Sequence, residues 1–431
     1  MKKIYIRAGM SPLEPVTIAD AIHSNRIAYN SGNLLYQYSV MRALFRPDVP
    51  MDVRPIEPIY RSADGIDRLN AECSCAVFPL ANAFRSGFNL KLLTDAIKRL
   101  KIPCVVVGCG LQAASADLIE QGFPFDDDVR AFVSAVLDKS AMIGLRGEYT
   151  AEYLKRLGFV PERHFTVIGC PALFLNGPQL PSPRLTPISA DTRMSINLRR
   201  IQPAALNALM VRTKRDYPDY HLVLQEQRGL SMLAFGTLGG LPYPSRRGLF
   251  PWFAGQRDVK QGRVVGFTDV RSWLDYMQNI DYSFGSRLHG NIAAVVSGTP
   301  AFVFTSDTRT EEVCRYANIA NMPVGALQSG MDIRQVLERA DFNAVLRGYS
   351  QRFAHFTGFL EANGLRHVYD GASATIPFDE AIRKLAPAGC VRRGGVVGDD
   401  IRQYRKAFYS VKLKRLYKRK VNKLRKAIFK A

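Results

Sequence analysis

The sequence predicts an α/β protein of two successive doubly wound domains followed by a C-terminal helical extension. Short β-branched runs alternate with amphipathic helical stretches, which is typical of parallel sheets with crossover helices. The alternation occurs twice, and the Pro-rich stretch 176–187 separates the two series. At 431 residues, the chain is long enough for two ordinary domains. We therefore expect a ligand cleft between the carboxyl ends of two parallel sheets.

The first domain is predicted over residues 1–178. β-Branched runs indicate its strands, and apolar residues three or four positions apart indicate its helices. The predicted strands are Lys3–Arg7, Cys75–Phe78, Cys104–Val107, Ala141–Leu145 and Thr166–Ile168. The predicted helices are Leu34–Leu44, Leu90–Leu100, Asp126–Leu137 and Glu148–Leu157.

The second domain is predicted over residues 190–345 by the same two patterns. Its predicted strands are Met194–Leu198, His221–Leu224, Val264–Gly266, Tyr282–Phe284 and Ala301–Phe304. Its predicted helices are Pro203–Tyr217, Val270–Asn279, Asn291–Val296 and Thr310–Asn318. Residues 346–388 are predicted to form the helical extension, and residues 389–431 a Gly-rich joint and a basic tail.

Composition excludes several classes of protein. Hydrophobic residues make up 47% of the chain and charged residues 23%, as in a globular protein rather than a disordered or fibrous one. No stretch approaches the ~20 apolar residues of a membrane span. The start of the chain indicates a strand rather than the apolar part of a signal peptide. The seven cysteines are scattered, so we expect reduced thiols in a cytoplasmic protein, without disulfides or a zinc site.

The most informative local feature is the segment 282–290, with the sequence YSFGSRLHG. A strand ends, Gly285 lets the chain turn, and Arg287 and His289 follow where a helix starts. Free backbone N–H groups and the helix dipole attract anions at such a position. Arg287 adds a planar fork suited to carboxylate or phosphate, and His289 adds a group that can carry a proton near neutral pH. The structural alternative is that Arg287 pairs with a carboxylate and His289 caps the helix.

The next strand brings more charged residues to the same edge of the sheet. Asp307 and Arg309 follow the strand Ala301–Phe304, although Asp307 can instead cap the following helix. Glu311 and Glu312 are expected to form surface ion pairs.

Two further strand ends carry polar residues. Gln225, Glu226 and Gln227 can hydrogen-bond sugar hydroxyls or form an ordinary solvated loop. Asp269 is expected to cap a helix and Trp273 to pack in the core.

Taken together, these motifs resemble the polysaccharide pyruvyl transferase family. Besides SRLHG, GTPAFVF and DTRTEE in the second half, the first half contains NSGNLL, VVVGCG, LRGEYT and IGCPA. The motifs follow the order expected for the family over roughly residues 25–320, about two-thirds of the chain, and only RLHG is specific by itself. One departure is Asn33, where many relatives carry Asp. An amide there can orient a group but cannot transfer a proton.

The resemblance implies a GT-B-like pair of Rossmann-like domains facing each other across a cleft. It also implies an activity: transfer of an enolpyruvyl unit from phosphoenolpyruvate to a sugar of a cell-surface or exopolysaccharide glycan, forming a pyruvate ketal and releasing phosphate. Arg287, Leu288, His289 and Gly290 match the family's donor-binding motif, and Arg287 and His289 are the expected catalytic residues. Phosphoenolpyruvate is a co-substrate, and we expect no cofactor and no metal.

Other residues are expected to line the same cleft. Arg199 is a second candidate for holding the anionic donor, with Arg200 as its rival. The residues expected on the acceptor side or in the cleft are Asn30, Gly32, Asn33, Gly108, Gly110, Arg146 and Asp307. The glycines among them can instead mark close packing of helix on sheet.

Two other functions stay open on the sequence. One is a GT-B glycosyltransferase with a nucleotide-sugar donor, and the other is a non-catalytic relative that binds glycan or lipid. Phosphate release from phosphoenolpyruvate would identify the pyruvyl transferase, whereas nucleotide release would identify the glycosyltransferase.

The net charge of +21 is concentrated in the tail. Residues 401–431 contain 13 of the 59 Lys and Arg residues and no Asp or Glu, so the rest of the chain carries only +8. This distribution argues against a nucleic-acid-binding protein. An apolar stripe recurs every three or four residues along the tail, at Leu413, Tyr417, Val421, Leu424 and Ile428. A basic helix of this kind can lie on an anionic membrane surface, where a lipid-linked glycan acceptor would be found.

We therefore expect the tail to bind anionic lipid. The full-length protein should co-sediment with anionic but not with neutral liposomes, more strongly at low than at high salt, and a chain ending at Asp400 should not. A solvated tail, a tail docked on the protein's own acidic surface and an RNA-binding arm are the alternatives. Binding that survives the deletion, or that is equal on neutral lipid, contradicts the prediction.

Overall fold

The computed structural model describes residues 2–236, 249–251, 253–369 and 376–395. Within these ranges the chain forms two α/β halves, each containing a parallel sheet, which confirms the predicted fold class. The predicted basic tail lies outside the described residues. Among the described helices, none has the length and apolar composition needed to cross a lipid bilayer.

The described first half has six strands and eight α-helices. The strands are β1 Lys3–Arg7, β2 Met51–Arg54, β3 Cys73–Pro79, β4 Cys104–Val107, β5 Ile143–Leu145 and β6 Phe165–Val167. The helices are α1 Ile18–His23, α2 Gly32–Leu44, α3 Ile56–Arg61, α4 Gly65–Glu72, α5 Leu90–Arg99, α6 Leu118–Gln121, α7 Asp126–Leu137 and α8 Glu148–Arg156.

The second half, as far as the structure describes it, adds seven strands and nine α-helices. The strands are β7 Met194–Asn197, β8 Tyr220–Leu224, β9 Val264–Phe267, β10 Tyr282–Gly285, β11 Ala301–Thr305, β12 Asn321–Pro323 and β13 Cys390–Val391. The helices are α9 Ala204–Asp216, α10 Gln227–Phe235, α11 Arg257–Lys260, α12 Val270–Met277, α13 Leu288–Val296, α14 Thr308–Ala317, α15 Ile333–Glu338, α16 Tyr349–Ala362 and α17 Pro377–Arg383. Short 3₁₀ turns lie at Pro171–Phe174, Val324–Ala326 and Phe342–Leu346.

Helix α5 illustrates why the predicted helices form. Asn89 caps its first turn by accepting a hydrogen bond from the Leu92 N–H at 3.1 Å. Leu90, Leu93 and Ile97 are spaced to point to one side, and all three are buried. Burial of each such side chain stabilises the fold by about 2 kcal/mol.

The strand order of each sheet defines where a ligand can bind. The first sheet runs β2-β1-β3-β4 in parallel, and the Gly108 and Cys109 amides extend it to β5 by donating to the Gly144 carbonyl at 3.0 and 2.9 Å. The second sheet runs β12-β11-β10-β7-β8-β9-β13, parallel except for the last strand. In this second sheet the order reverses between β7 and β10. That switch point is where doubly wound sheets bind ligands.

Several elements differ from the sequence prediction. The sequence analysis did not predict strands β2, β12 and β13, because they are short and lie at sheet edges. It also did not predict helix α10, because this helix starts within the polar residues 225–227. Helix α13 begins at Leu288 rather than Asn291, so His289 lies inside its first turn. Two smaller expectations are confirmed. Asp269 caps α12 by accepting from the Arg271 N–H at 3.0 Å, and Trp273 is fully buried.

The two halves meet along α2, α13 and the start of α14. Helix α2 packs against α13. The loop before α2 pairs with the end of β8: the Ser31 N–H donates to the Gln225 carbonyl at 2.8 Å. On the other side, the Ala113 N–H donates to the Thr308 hydroxyl at 3.0 Å. These bonds hold the carboxyl ends of the two sheets towards each other.

The helical extension returns to the first half of the chain. The Phe356 ring of α16 stacks on Phe174 with ring centroids 5.0 Å apart. The Asn363 side chain, at the end of α16, accepts from the Ala141 N–H at 3.1 Å. The C-terminal segment then crosses back, because β13 pairs antiparallel with β9 in the second sheet.

Candidate active site

The site is built on the turn between β10 and α13. Gly285 ends β10 with a φ of +138°, which favours glycine, and a Cβ there would lie 2.9 Å from the Asn197 backbone nitrogen. Arg287 occupies the N-cap position of α13, and no side chain caps this helix. The N–H groups of the first turn, including that of the buried Leu288, are therefore not claimed by a capping side chain.

A buried amide holds this turn in shape. Asn291 donates from its side chain to the carbonyls of Gly285 and Arg287, at 3.2 and 3.1 Å. Its side-chain oxygen accepts from Ser283 at 3.0 Å and from Asn197 at 3.1 Å. The sequence analysis missed this cluster, although an asparagine at the head of the apolar run IAAVV was a visible signal.

Gly290 lets the turn lie close to the neighbouring strand. A Cβ at this position would collide with the Asn197 side chain and come within 2.5 Å of Gln225 Nε2. Its role in the structure is therefore close packing of α13 on β7.

Arginines from neighbouring strand ends gather beside this turn. Arg199, after β7, donates to the Ser306 hydroxyl at 2.6 Å and lies 3.8 Å from Asp307. Arg309 lies 3.3 Å from the same carboxylate, and its Nε is buried without a hydrogen-bond partner. Arg287 contacts Glu226 and donates to the Leu198 carbonyl at 3.3 Å.

The arginine cluster carries more positive than negative charge. The positive charges of Arg199, Arg200 and Arg309 repel that of Arg287. The two carboxylates in the cluster are those of Asp307 and Glu226. Burial, followed by the charges of Arg199 and Arg309, lowers the pKa of Arg287 to about 9. The charged form of Arg287 is destabilised, and a bound anion would stabilise it. The cluster is therefore a candidate anion-binding site.

His289 lies between the two halves and is held neutral. Its ring centroid is 5.7 Å from that of Tyr36, and its Nε2 is 3.8 Å from Cys170 Sγ. Gly32 permits this approach, because a Cβ there would lie 2.8 Å from His289 Nδ1. Burial, and then the charges of Arg146, Arg309 and Arg287, lower the pKa of His289 well below its usual 6.5. The sequence suggested a proton carrier near neutral pH, whereas the structure keeps the free imidazole unprotonated.

Arg146 is fully buried and contacts Tyr36, whose ring also lies against His289. Its Nε donates to the Gly108 carbonyl at 2.8 Å, and its guanidinium lies 5.0 Å from the Tyr36 ring centroid. Its two terminal nitrogens are buried and have no hydrogen-bond partner. In this structure Arg146 acts on the site through its charge.

Gly108 and Gly110 serve close packing. Gly108 has a φ of +74°, and a Cβ there would lie 2.8 Å from the Pro171 ring. A Cβ at Gly110 would lie 3.0 Å from both the Ala81 carbonyl and Glu312 Oε1. These contacts match the structural alternative considered for both glycines.

The loop before α2 brings Asn30 and Asn33 to the same interface. Asn30 accepts from the Gly32 N–H at 2.8 Å and forms an antiparallel bridge with Glu226. Asn33 donates its side-chain amide to the Ala28 carbonyl at 2.8 Å. A carboxylate could not donate this bond, which gives a physical reason for an amide at this position.

The polar residues after β8 are part of the site rather than a solvated loop. Glu226 contacts Arg287, as described above, and Gln225 is 2% exposed. Gln227 starts α10 and donates its side-chain amide to the Ile22 carbonyl at 2.6 Å. The solvated-loop interpretation of these residues was wrong.

Glu312 is a second correction, because it is buried and not in a surface ion pair. It accepts from the Thr150 N–H and hydroxyl, each at 2.9 Å, at the N-terminus of α8 in the other half. Burial raises the pKa of Glu312 to about 8, although the Thr150 bonds and the charge of Arg146 oppose the shift. Its neighbour Glu311 behaves as expected and lies 2.6 Å from Arg315.

Asp307 fulfils both roles considered for it. It caps α14 by accepting from the Thr310 N–H at 3.0 Å, and it faces Arg199 and Arg309. Because Thr308 and Glu312 on the same helix contact the first half, α14 links the arginine cluster to the interface between the halves.

The fold and the site together define a two-part α/β protein with an arginine cluster and a neutral histidine at the interface. The polysaccharide pyruvyl transferase family model matches residues 20–308, more than half of the chain and the whole of this site up to Thr308. The chain belongs to the polysaccharide pyruvyl transferase family, which confirms the resemblance seen in its motifs. No curated relative matches this sequence.

Several solved structures share a distant likeness with the chain. The Methanocaldococcus jannaschii UDP-GlcNAc 2-epimerase in complex with UDP-GlcNAc and UDP is 11% identical, covers 83% of this chain and 99% of its own, and has a TM-score of 0.41. The S. aureus MnaA–UDP structure is 12% identical, with coverages of 83% and 91% and a TM-score of 0.38. The Streptomyces nogalater glycosyltransferase SnogD is 12% identical, with coverages of 83% and 96% and a TM-score of 0.34.

Proposed function

We propose that this protein transfers an enolpyruvyl unit from phosphoenolpyruvate to two hydroxyls of one sugar in a glycan, forming a cyclic ketal. The observation that carries the proposal is the excess of arginines over carboxylates in the cluster, where burial and the arginine neighbours lower the pKa of Arg287 to about 9 although it contacts Glu226. A phosphate group brings about two negative charges at neutral pH, and the carboxylate of phosphoenolpyruvate adds another. Such a donor would balance the cluster.

The two anionic groups of the donor match two kinds of binding group in the site. Guanidinium forks on Arg287, Arg309 and Arg199 suit a carboxylate or phosphate through paired hydrogen bonds. The first turn of α13, which no side chain caps, offers backbone N–H groups at the positive end of a helix dipole. Binding the donor would also stabilise the charged form of Arg287.

The reaction balances without a cofactor. The methylene carbon of phosphoenolpyruvate gains a proton and becomes a methyl group, which leaves an oxocarbenium-like carbon that one sugar hydroxyl attacks. The second hydroxyl then replaces phosphate at the same carbon. Of the two hydroxyl protons, one accounts for the new methyl group and the other leaves with phosphate.

The neutral state of His289 assigns it a direction of proton transfer. A free imidazole accepts a proton from an attacking hydroxyl but has none to give from its acceptor nitrogen. The bound phosphate would stabilise the imidazolium that forms, and the departing phosphate would then accept the proton from it. Arg287 and His289 are the catalytic residues of this proposal.

A direct assay tests the proposal against its rivals. Purified protein is incubated with phosphoenolpyruvate and with the glycan of its own cells from which pyruvate has been removed by mild acid, and phosphate release and ketal formation are measured. Loss of the ketal from the glycan of cells lacking the gene is the matching observation in vivo. Absence of phosphate release together with nucleotide release from a nucleotide sugar would identify a glycosyltransferase instead.

Arg199 is expected to contribute to donor binding. An Arg199→Ala variant should raise the KM for phosphoenolpyruvate by about tenfold or more, since hydrogen bonds to charged groups contribute about 1.5–3 kcal/mol, and should change the acceptor KM little. Arg200→Ala tests the rival assignment, because Arg200 lies next in the chain and its charge also acts on Arg287. Equal effects on both substrates would indicate general damage, and a donor effect confined to Arg200→Ala would move the role to that residue.

A further inference from the structure

The loop before α2 holds an unusual backbone conformation. Three non-glycine residues, Asn25, Ala28 and Tyr29, have φ values of +54°, +49° and +68°. Asparagine tolerates this left-handed region, but alanine and tyrosine do so only at an energetic cost. Strain of this kind persists where the surrounding structure enforces it, and it is concentrated at functional sites.

Three hydrogen bonds, with Asn25, Asn33 and Gln227, hold the strained turn in its conformation. The Tyr29 N–H donates to the Asn25 side chain at 2.6 Å, and the Tyr29 carbonyl accepts from the Gln227 N–H at 3.0 Å. The Ala28 carbonyl accepts from the Asn33 side chain at 2.8 Å. The conformation is therefore built by both halves of the protein.

The result of this conformation is a solvent-exposed aromatic ring on the loop that pairs with the end of β8. Tyr29 is 73% exposed, although a tyrosine normally covers apolar surface when a loop folds. The next residue, Asn30, bridges Glu226, which contacts Arg287. Tyr29 is therefore the direct neighbour, in the chain, of a residue that contacts the arginine cluster through Glu226.

We propose that Tyr29 forms an acceptor subsite, on which the apolar face of a hexopyranose ring of the glycan stacks beside the donor site. The proposal rests on the proposed function, because it names how the second substrate is held. A sugar ring presents C–H groups on one face, and these suit the electron-rich face of an aromatic ring. Tyrosine supplies such a surface with little loss of side-chain entropy, because only two side-chain torsions become fixed.

The strain offers a test that separates binding from structure. Glycine adopts positive φ without cost, so Tyr29→Gly removes the ring and relaxes the backbone together. Ala28→Gly is the matched control, because it relaxes the neighbouring position and keeps the ring. Tyr29→Trp keeps an aromatic face at the same position.

The probes are methyl β-glucopyranoside, methyl β-galactopyranoside and methyl α-mannopyranoside, which carry no aromatic group of their own. Saturation-transfer NMR on the full chain reports sugar binding, and thermal unfolding reports stability. We expect wild type, Ala28→Gly and Tyr29→Trp to bind at least one glycoside, and Tyr29→Gly to lose about tenfold in affinity with an unchanged or higher Tm. An affinity of Tyr29→Gly equal to that of wild type, or the absence of binding by wild type to all three probes, overturns the subsite.

Calorimetric titration with phosphoenolpyruvate distinguishes this inference from the proposed function. Tyr29→Gly should bind phosphoenolpyruvate as wild type does, since the ring is not part of the arginine cluster. If Tyr29→Gly loses phosphoenolpyruvate binding as well, the ring is not specific to the sugar and the subsite is overturned. If wild type binds a glycoside through Tyr29 but binds no phosphoenolpyruvate, the proposed function fails while the subsite stands.

Discussion

An Arg287→Ala variant is expected to lose pyruvyl transfer while keeping its fold. Arg287 lies at the N-cap of α13, contacts Glu226, and has its charge destabilised by burial and by Arg199 and Arg309. We expect a loss of at least about a hundredfold in kcat/KM, because charge-stabilising donors in active sites contribute about 10²–10³ in rate. Arg287→Lys should also be strongly impaired, since an ammonium group lacks the planar fork that binds a carboxylate.

His289→Ala is the second half of the same prediction. A general base contributes about 10²–10⁴ in rate, and His289 is buried against Tyr36 of the other half. Because burial and the nearby arginines lower the pKa of His289, the base form persists as the pH falls. The acid limb of kcat/KM in the wild type should therefore lie below pH 6.5.

The measurement is phosphate release under saturating acceptor, with circular dichroism and Tm to confirm folding. Arg315→Ala is a suitable control, because Arg315 is exposed and pairs with Glu311 within α14. If His289→Ala transfers pyruvate at the wild-type rate, or if Arg287→Lys equals wild type, the assignment of the donor site is wrong.

A Glu312→Gln variant is expected to change how stability depends on pH. The pKa of Glu312 is raised by burial from an ordinary 4.5 to about 8 in the folded protein. Between these values the folded chain keeps a proton that the unfolded chain releases, so this group's contribution to stability is full below pH 4.5 and falls as pH rises towards 8. The slope is about 1.4 kcal/mol per pH unit for one proton, or about 5 kcal/mol between pH 4.5 and pH 8.

The glutamine variant isolates this effect, because its amide oxygen can still accept from the Thr150 N–H and carries no titrating proton. Urea unfolding of both proteins from pH 5 to pH 8 should show the wild type losing stability relative to Glu312→Gln. Glu311→Gln, one residue away and paired with Arg315, should follow the wild-type pH dependence. Parallel curves for wild type and Glu312→Gln would show that Glu312 ionises normally in the folded protein.

Much of the fold could be predicted from local sequence patterns. Strands β1 and β4 and helix α7 have the predicted bounds, since an apolar run or a clear helical period specifies each by itself. The edge strand β2, Met51-Asp-Val-Arg54, could not be found this way, because it is partly exposed and needs no apolar run. Its formation depends on pairing with β1, which is distant in sequence.

In the candidate site, too, local patterns could be predicted and contacts between distant residues could not. Arg287 and His289 were predicted because the strand, the glycine turn and the helix that position them are consecutive in the chain. Glu226 and Glu312 were misjudged, because their partners Arg287 and Thr150 lie 61 and 162 residues away. Nothing in the local pattern of either glutamate distinguishes a buried carboxylate from an exposed one.

The sequence by itself therefore determined the α/β class, the position of the arginine–histidine turn and the family to which the chain belongs. Only the tertiary structure decided the protonation of the site: a neutral His289, a depressed pKa at Arg287 and a carboxyl at Glu312 with a raised pKa. The physical reason is that motifs are short-range features of the chain, whereas a pKa depends on burial and on charges brought together by folding. Arg309 and Arg287 belong to the same half as His289, whereas the charge of Arg146, from the first half, acts on His289 only when the two halves meet.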